Sequence, residues 1–265
     1  MTPRHTFARE AMTTMFNVTI AHPSATYAGQ AATAAFAELE LAETCLSRFI
    51  AHSDISRING LGPGERAVVH PLTFECLQVG EAMRRASGGA FNMGYRTPHA
   101  ELDLDAGTLS VGVRGGPVAL DTGGIGKGLA LDAMARVLAD WDIASALLCA
   151  SVSTVLALDP PTGEAGWPIT FGPDTDKRSR ALAHRAFSGS GTAVKGSHIV
   201  DPHTGVAVTR RFRAWSLAPT GAQADALSTA FMIMTPADIR ALCQARPEFF
   251  GAWQDRPEGT METSG

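Results

Sequence analysis

The segment Leu120-Asp121-Thr122-Gly123-Gly124-Ile125-Gly126-Lys127-Gly128-Leu129-Ala130-Leu131-Asp132 gathers glycines, a lysine and carboxylates where an apolar run meets a helical pattern. Glycines let the backbone approach a ligand closely. A helix N-terminus adds unpaired N–H groups with a partial positive charge. Lys127 contributes a mobile cation. Together these suit an anionic ligand, with a phosphate-bearing substrate as the first expectation.

Three further segments carry chemistry-bearing residues. In Asp225-Ala226-Leu227-Ser228-Thr229 the carboxylate and the last hydroxyl are four residues apart, so both project from one helical face. Such a pair suits a hard cation like Mg²⁺, which takes oxygen ligands. The same pair also describes a helix-capping Asp225 with Thr229 bonded back to a carbonyl. In Ser197-His198-Ile199-Val200-Asp201-Pro202-His203-Thr204-Gly205, His198 and Asp201 could serve as base, orienter or phosphate contact. A strand ending in an Asp-Pro turn reads equally well. Ser188-Gly189-Ser190-Gly191 offers hydroxyls and N–H groups to an anion, or is an ordinary turn.

These segments need elements to position them. Met15 to Ile20 is β-prone, and from Ala25 to Phe49 apolar residues recur at helical spacing. A second helix is predicted from about Leu72 to Ala86, closed by Gly88-Gly89. Leu102 to Val113 reads as a hairpin around Asp105-Ala106-Gly107, and Val118 to Asp121 as a strand entering the glycine motif. Ala144 to Asp159 is β-prone, Asp174 to Arg180 a charged loop, and Phe212 to Ala218 a strand. Helices near Gln223 to Met234 and Pro236 to Gln244 follow. Strands and helices do not alternate regularly, so an α+β arrangement with mixed or antiparallel sheets flanked by helices is expected.

The 265 residues, 45% hydrophobic, suffice for one large domain. A net charge of −4 without a basic run argues against nucleic acid as partner. No apolar run is long enough to span a bilayer, and the first residues lack a signal-peptide core, so a cytoplasmic location is expected. Cys45, Cys76, Cys149 and Cys243 are widely spaced, which reads as reduced buried thiols. Residues 1–9 read as an N-terminal extension, 10–254 as a single domain in two interlocked halves, and 255–265 as a flexible tail.

In this order the motifs resemble the ApbE family of FAD:protein FMN transferases. Asp121 to Asp132 is similar to the family's D-x-GG-I-A-KG-x-A-x-D, His198 to Gly205 to its H-I-x-D-P-x-T-G, and Ala224 to Ala230 to its A-D-A-L-S-T-A. Weaker similarities are Met12-Thr13-Thr14 to M-G-T, Ser47 to Asn59 to S-R-F…S-x-I-S-x-I-N, and Gly89-Ala90-Phe91 to G-A-F-D, with Asn92 at the aspartate. The family's usual G-G-D or G-G-N is missing from Cys149-Ala150-Ser151-Val152-Ser153-Thr154, and its S-G-x-Y tyrosine is missing after Ser188.

The resemblance implies Mg²⁺-dependent transfer of FMN from FAD, as substrate, to a threonine hydroxyl of an acceptor flavoprotein, with AMP released. It implies Asp225, Thr229 and the Gly126 carbonyl as metal ligands. Lys127 would sit at the diphosphate, His198 would be the base, and Asp201 a second acidic group. Met12, Phe49, Asn59, Asp121, Gly124 and Ser190 would line the FAD. Two rivals keep the fold: a pyrophosphatase giving FMN and AMP from FAD, and a flavin- or nucleotide-binding protein without turnover.

Overall fold

The computed structural model describes residues 2–97, 99–173, 175–191 and 199–265. The strands are β1 (Arg4–Ala11), β2 (Thr14–Ala21), β3 (Arg66–Val68), β4 (Glu101–Asp105), β5 (Ser110–Arg114), β6 (Ala146–Ala150) and β7 (Thr154–Ala157). They continue with β8 (Trp167–Phe171), β9 (Arg178–Leu182), β10 (Arg185–Gly191), β11 (Arg213–Ala218), β12 (Phe250–Gln254) and β13 (Glu262–Thr263). The helices are α1 (Ala25–Leu46), α2 (Asp54–Asn59), α3 (Pro71–Ala86), α4 (Gly126–Asp140), α5 (Gly221–Phe231) and α6 (Pro236–Ala245).

The central sheet runs β1-β2-β6-β7-β10-β11-β12-β13, and every neighbouring pair in it is antiparallel. The smaller sheets are β3-β5-β4 and β8-β9. The protein is thus α+β, with antiparallel sheets and flanking helices. Side chains alternate between sheet faces with a period of two, which splits the interior into two cores. Phe187, Trp215 and Leu217 meet Trp167, Ile169 and Phe171 of the β8–β9 hairpin on one face. The small residues Ala186, Ala214 and Ala218 belong to the other core, where α1, α4 and α5 lie.

Local chemistry explains the main helix boundaries. Ser24 caps α1 by accepting from Tyr27 N, and Thr220 and Thr235 do the same for α5 and α6. Pro71 and Pro236 stand at helix starts, where a missing N–H costs nothing. The helix α4 has no side-chain cap of its own. Its Gly128 N–H instead donates to Asp225 Oδ2 of α5 at 2.9 Å. In return Asp132 of α4 accepts from Gly221 N and Ala222 N at the start of α5, at 2.7 and 2.9 Å.

That exchange requires close approach. A Cβ on Gly128 would lie 2.0 Å from the Gly221 carbonyl oxygen, and one on Gly221 2.4 Å from the Gly128 oxygen. Each helix therefore carries a glycine and, one turn later, an aspartate that caps the other.

Several expectations are corrected. Val118 to Asp121 is not a strand: Asn59 donates to Leu120 O at 3.1 Å and accepts from Leu120 N at 2.7 Å, so a side chain replaces the ladder. The helical spacing read from Ala25 to Phe49 gives a helix that ends at Leu46, and Asp54–Asn59 forms the separate α2, capped by Ser53. The charged stretch around residue 178 enters strand β9, because the hairpin with β8 covers the second core. At the termini, Arg4–Ala11 is not a detached extension but pairs with β2 along its full length. Met261 is buried in the second core and Glu262–Thr263 pairs with β12, which ties down the expected flexible tail.

The β1–β2 turn places Met12 and Thr13 at φ 50° and 57°. Left-handed angles at two successive positions give the twist a two-residue hairpin turn needs, at a cost for non-glycine residues. Met12 N donates to Glu43 of α1 at 2.8 Å, which pins the turn.

Two neighbouring glycines should behave oppositely. Gly128→Ala forces α4 and α5 apart and should cost about 3 kcal/mol or more, from overlap with backbone. A Cβ on Gly126 meets only ordinary contacts, the nearest at 3.7 Å, so Gly126→Ala should stabilise by about 0.5–1 kcal/mol. Urea unfolding of the two variants checks the contrast; equal effects would contradict it.

Candidate active site

The α4–α5 crossing brings Lys127 to Asp225, with Nζ 3.4 Å from Oδ2. Asp225 is only 4% exposed. Its Oδ1 accepts from Thr154 Oγ1 at 2.6 Å and from Ser188 Oγ at 2.8 Å. Thr154 and Ser188 face each other across β7 and β10 and are buried. Period-two alternation along β10 sends Ser188 and Ser190 to the α5 side while Phe187 goes to the second core.

A hydroxyl row continues from the carboxylate. Ser228 Oγ donates to Asp225 O at 3.0 Å. Its single proton thus spent, Ser228 accepts from Ser190 Oγ at 2.8 Å. Ser190 lies 3.5 Å from Thr229 Oγ1. Gly124 fits under this row: a Cβ there would stand 3.0 Å from Thr229 Oγ1 and 3.3 Å from the Phe91 ring. Gly126 opens α4 beside Lys127, and its N–H donates to Thr122 O at 2.8 Å.

At the other end of the glycine segment, Asp121 is held by two arginines. Arg48 Nε lies 3.2 Å and Arg96 Nη2 3.7 Å from Oδ2, and Gly123 N donates to Oδ1 at 3.0 Å. The Arg48 guanidinium lies 4.2 Å over the Phe49 ring. Phe49 is 81% exposed, an aromatic face left to solvent. Asn59 is committed to Leu120, so it positions the segment leading to Asp121. Met12 packs partly buried against the main core.

Asp201 sits in a turn of its own. Its Oδ1 accepts from His203 N at 2.9 Å, and its carbonyl accepts from Gly205 N at 2.8 Å, making a tight turn. It lines a cavity of about 640 Å³ with His203, Arg210, Met234, Asp238 and Leu242. No hydrogen bond or ion pair joins it to Asp225 among the described residues. His198 lies outside the described residues.

Sequence reasoning missed Thr154 and Arg96, and it offered Ser188 to an anion where the structure makes it a donor to Asp225. Ser188 to Gly191 is not a turn but the end of β10, and the alternation of its serines marks a polar strand face whose register with Thr154 is not readable from sequence. Where the family's glycine pair is missing, Ser151 takes a φ of 55°, so the β6–β7 turn keeps a left-handed residue. Val152 at its tip is 99% exposed.

The Asp225 carboxylate and the hydroxyl row that runs from it to Ser190 and Thr229 are hard oxygens. That chemistry fits Mg²⁺ or Mn²⁺ and not a soft metal. No cluster of three or more His, Cys, Asp or Glu side chains suited to a metal exists among the described residues, so hydroxyls, carbonyls, water or substrate oxygens must complete any coordination. The cysteines are free. Burial pushes the Cys76 thiol up to about 12 and Cys149 up to about 11, which excludes thiolate chemistry there.

A model of the ApbE family matches residues 12–102 and 95–251. Among solved structures, a flavinyl transferase ApbE from Pseudomonas stutzeri is 20% identical, with a TM-score of 0.83 over 99% of this chain and 94% of its own. The flavin transferase ApbE from Vibrio cholerae is 18% identical, with a TM-score of 0.84 over 98% and 97%. An ApbE protein from Thermotoga maritima is 21% identical, with a TM-score of 0.82 over 98% and 96%. No curated protein matches the chain.

The cap Asp132 has a pH signature. Burial outweighs its two amide donors and lifts its pKa from 3.8 to about 6. A raised carboxyl pKa means that the native state holds the proton more tightly than the unfolded chain. Stability from this group is therefore full below about pH 4 and lost as pH rises through about 6, by roughly 3 kcal/mol. Urea denaturation from pH 4 to 7.5 should show wild type losing stability relative to Asp132→Asn up to about pH 6, then running parallel. Parallel curves throughout would contradict this.

Proposed function

The chain belongs to the ApbE family, and from that membership we propose that it is a Mg²⁺-dependent FAD:protein FMN transferase. The observation that carries the reading is the convergence of Lys127, the Asp225 carboxylate and the Thr229 and Ser190 hydroxyls at the start of α4. Phosphoryl transfer asks a protein chiefly to position reactants and neutralise charge. A buried carboxylate with a tethered ammonium, beside a glycine-lined backbone, supplies what that requires.

In this reading Asp225, Thr229 and the Gly126 carbonyl hold the metal, which would neutralise charge on the diphosphate oxygens. Lys127 contacts the diphosphate. Gly124 lets that diphosphate approach the backbone. The exposed Phe49 ring, with Met12, offers an apolar wall to the flavin, and the Arg48–Asp121–Arg96 cluster fixes that end of the site. A threonine oxygen of the acceptor flavoprotein attacks the phosphorus on the FMN side. The bond from that phosphorus to the bridging oxygen breaks, AMP departs with the bridging oxygen, and His198 takes the hydroxyl proton. Asp201, set in its turn, shapes the segment that follows His198.

No described helix is long and apolar enough to cross a membrane. FAD and a threonine-bearing acceptor are the proposed partners.

Incubating the protein with FAD, Mg²⁺ and a threonine-bearing acceptor should yield a fluorescent acceptor and AMP in equal amounts. FMN and AMP formed at the same rate without acceptor would make it a hydrolase instead, and flavin binding without AMP a non-catalytic protein. Asp225→Ala should lower AMP release by at least about 100-fold. Undiminished release from that variant would sink the metal assignment.

A further inference from the structure

Thr154 and Ser188 each have one hydroxyl proton, and both protons go to the same atom, Asp225 Oδ1. Their own contact, at 3.1 Å, is then left without a donor. Gly128 N takes one position on Oδ2. A carboxylate has about four lone-pair positions, two on each oxygen. Three fixed donors leave a single position, on Oδ2. Lys127 Nζ stands over it at 3.4 Å, beyond the roughly 3.2 Å of a well-formed N–H···O bond.

The clamp is rigid. Thr154 and Ser188 are 0% and 1% exposed, so bulk water does not compete for Oδ1. They sit directly opposite each other on paired strands, while Gly128 is held by the contact with Gly221. We infer that this clamp makes Asp225 a one-oxygen ligand, and that Thr154 and Ser188 are positioning residues that select Mg²⁺ or Mn²⁺ over Ca²⁺. The inference rests on the reading of Asp225 as a metal ligand.

The physical reason lies in how the ions bind carboxylates. Ca²⁺ takes six to eight oxygens and readily uses both oxygens of one carboxylate. Mg²⁺ demands near-octahedral geometry, takes one oxygen and keeps waters. Two-oxygen capture here would strip Thr154 and Ser188 of their acceptor inside the protein, where no water replaces it. One-oxygen binding at Oδ2 disturbs only the Lys127 contact and frees that ammonium for a phosphate. Groups that orient a ligand in this way govern metal affinity nearly as strongly as the ligand itself.

Titration calorimetry of the full chain with Mg²⁺, Mn²⁺ and Ca²⁺ tests this, using wild type, Thr154→Val, Thr154→Ser, Ser188→Ala and Asp225→Asn. Wild type should prefer Mg²⁺ and Mn²⁺ to Ca²⁺. Thr154→Val should lower that preference by about tenfold, with Thr154→Ser retaining it. Ser188→Ala should move the ratio in the same direction and carries the test if Thr154→Val does not fold. Mere loosening would weaken all three ions alike. An unchanged ratio in both variants, with binding lost in Asp225→Asn, overturns the clamp alone, as does a wild type that prefers Ca²⁺. Metal binding retained in Asp225→Asn overturns the ligand reading and the clamp together.

Discussion

The contact of Gly128 with Gly221 is the constraint from which the rest of the site follows. Only two residues without a Cβ allow the backbones of α4 and α5 to touch. At that distance each helix can lend an aspartate to the other's N-terminus: Asp225 takes Gly128 N–H, and Asp132 takes Gly221 and Ala222 N–H. Helix N-termini need acceptors, and here each helix supplies one to the other. The arrangement also forces Lys127, the residue before Gly128, against the Asp225 carboxylate. A structural solution to helix capping therefore brings together the cation and carboxylate on which the proposed chemistry depends.

The two aspartates in this exchange have different surroundings. Burial raises the pKa of Asp132 to about 6 against two amide donors, while the charges of Arg136 and Glu75 oppose each other. Asp225 has an ammonium and two hydroxyls in addition to its amide. The sheet makes this difference. Its α5 side presents alanine and serine along β10 and β11, so the helix lies close enough for Ser188 to reach the carboxylate and for Ser216 Oγ to donate to Ala224 O at 2.6 Å.

Much of this was legible in the sequence, for reasons that differ by element. The boundaries of α1, α3, α5 and α6 follow from capping residues and apolar spacing, which are local signals. The β4–β5 hairpin follows from a β-prone run around a turn, whereas Ala144 to Asp159 reads as β-prone without the turn that divides it into β6 and β7. The strand β1 alternates with arginines, histidine and threonine at a sheet edge, so its pattern resembled a polar tail. Residues 118–121 look like a strand by composition, and only Asn59, 61 residues away, shows why no ladder forms. In the site, Asp225 and Thr229 share a helix face by spacing alone. Thr154 and Ser188 lie 71 and 37 residues from Asp225, and only the pairing of β7 with β10 unites them. Lys127, Gly128 and Asp132 were visible as a motif, but two of the three serve the helix crossing before they serve any ligand.

The central claim is that the crossing of α4 and α5 makes one place where a divalent cation and a diphosphate meet. Two ligands that meet must influence each other's affinity equally. Flavin fluorescence titrations of the protein with FAD, with and without Mg²⁺, measure that coupling directly. The account predicts that FAD binds more tightly as Mg²⁺ is added, and that Lys127→Met weakens FAD binding at every Mg²⁺ concentration. FAD affinity that is the same with and without Mg²⁺, and untouched by the loss of Lys127, would contradict it.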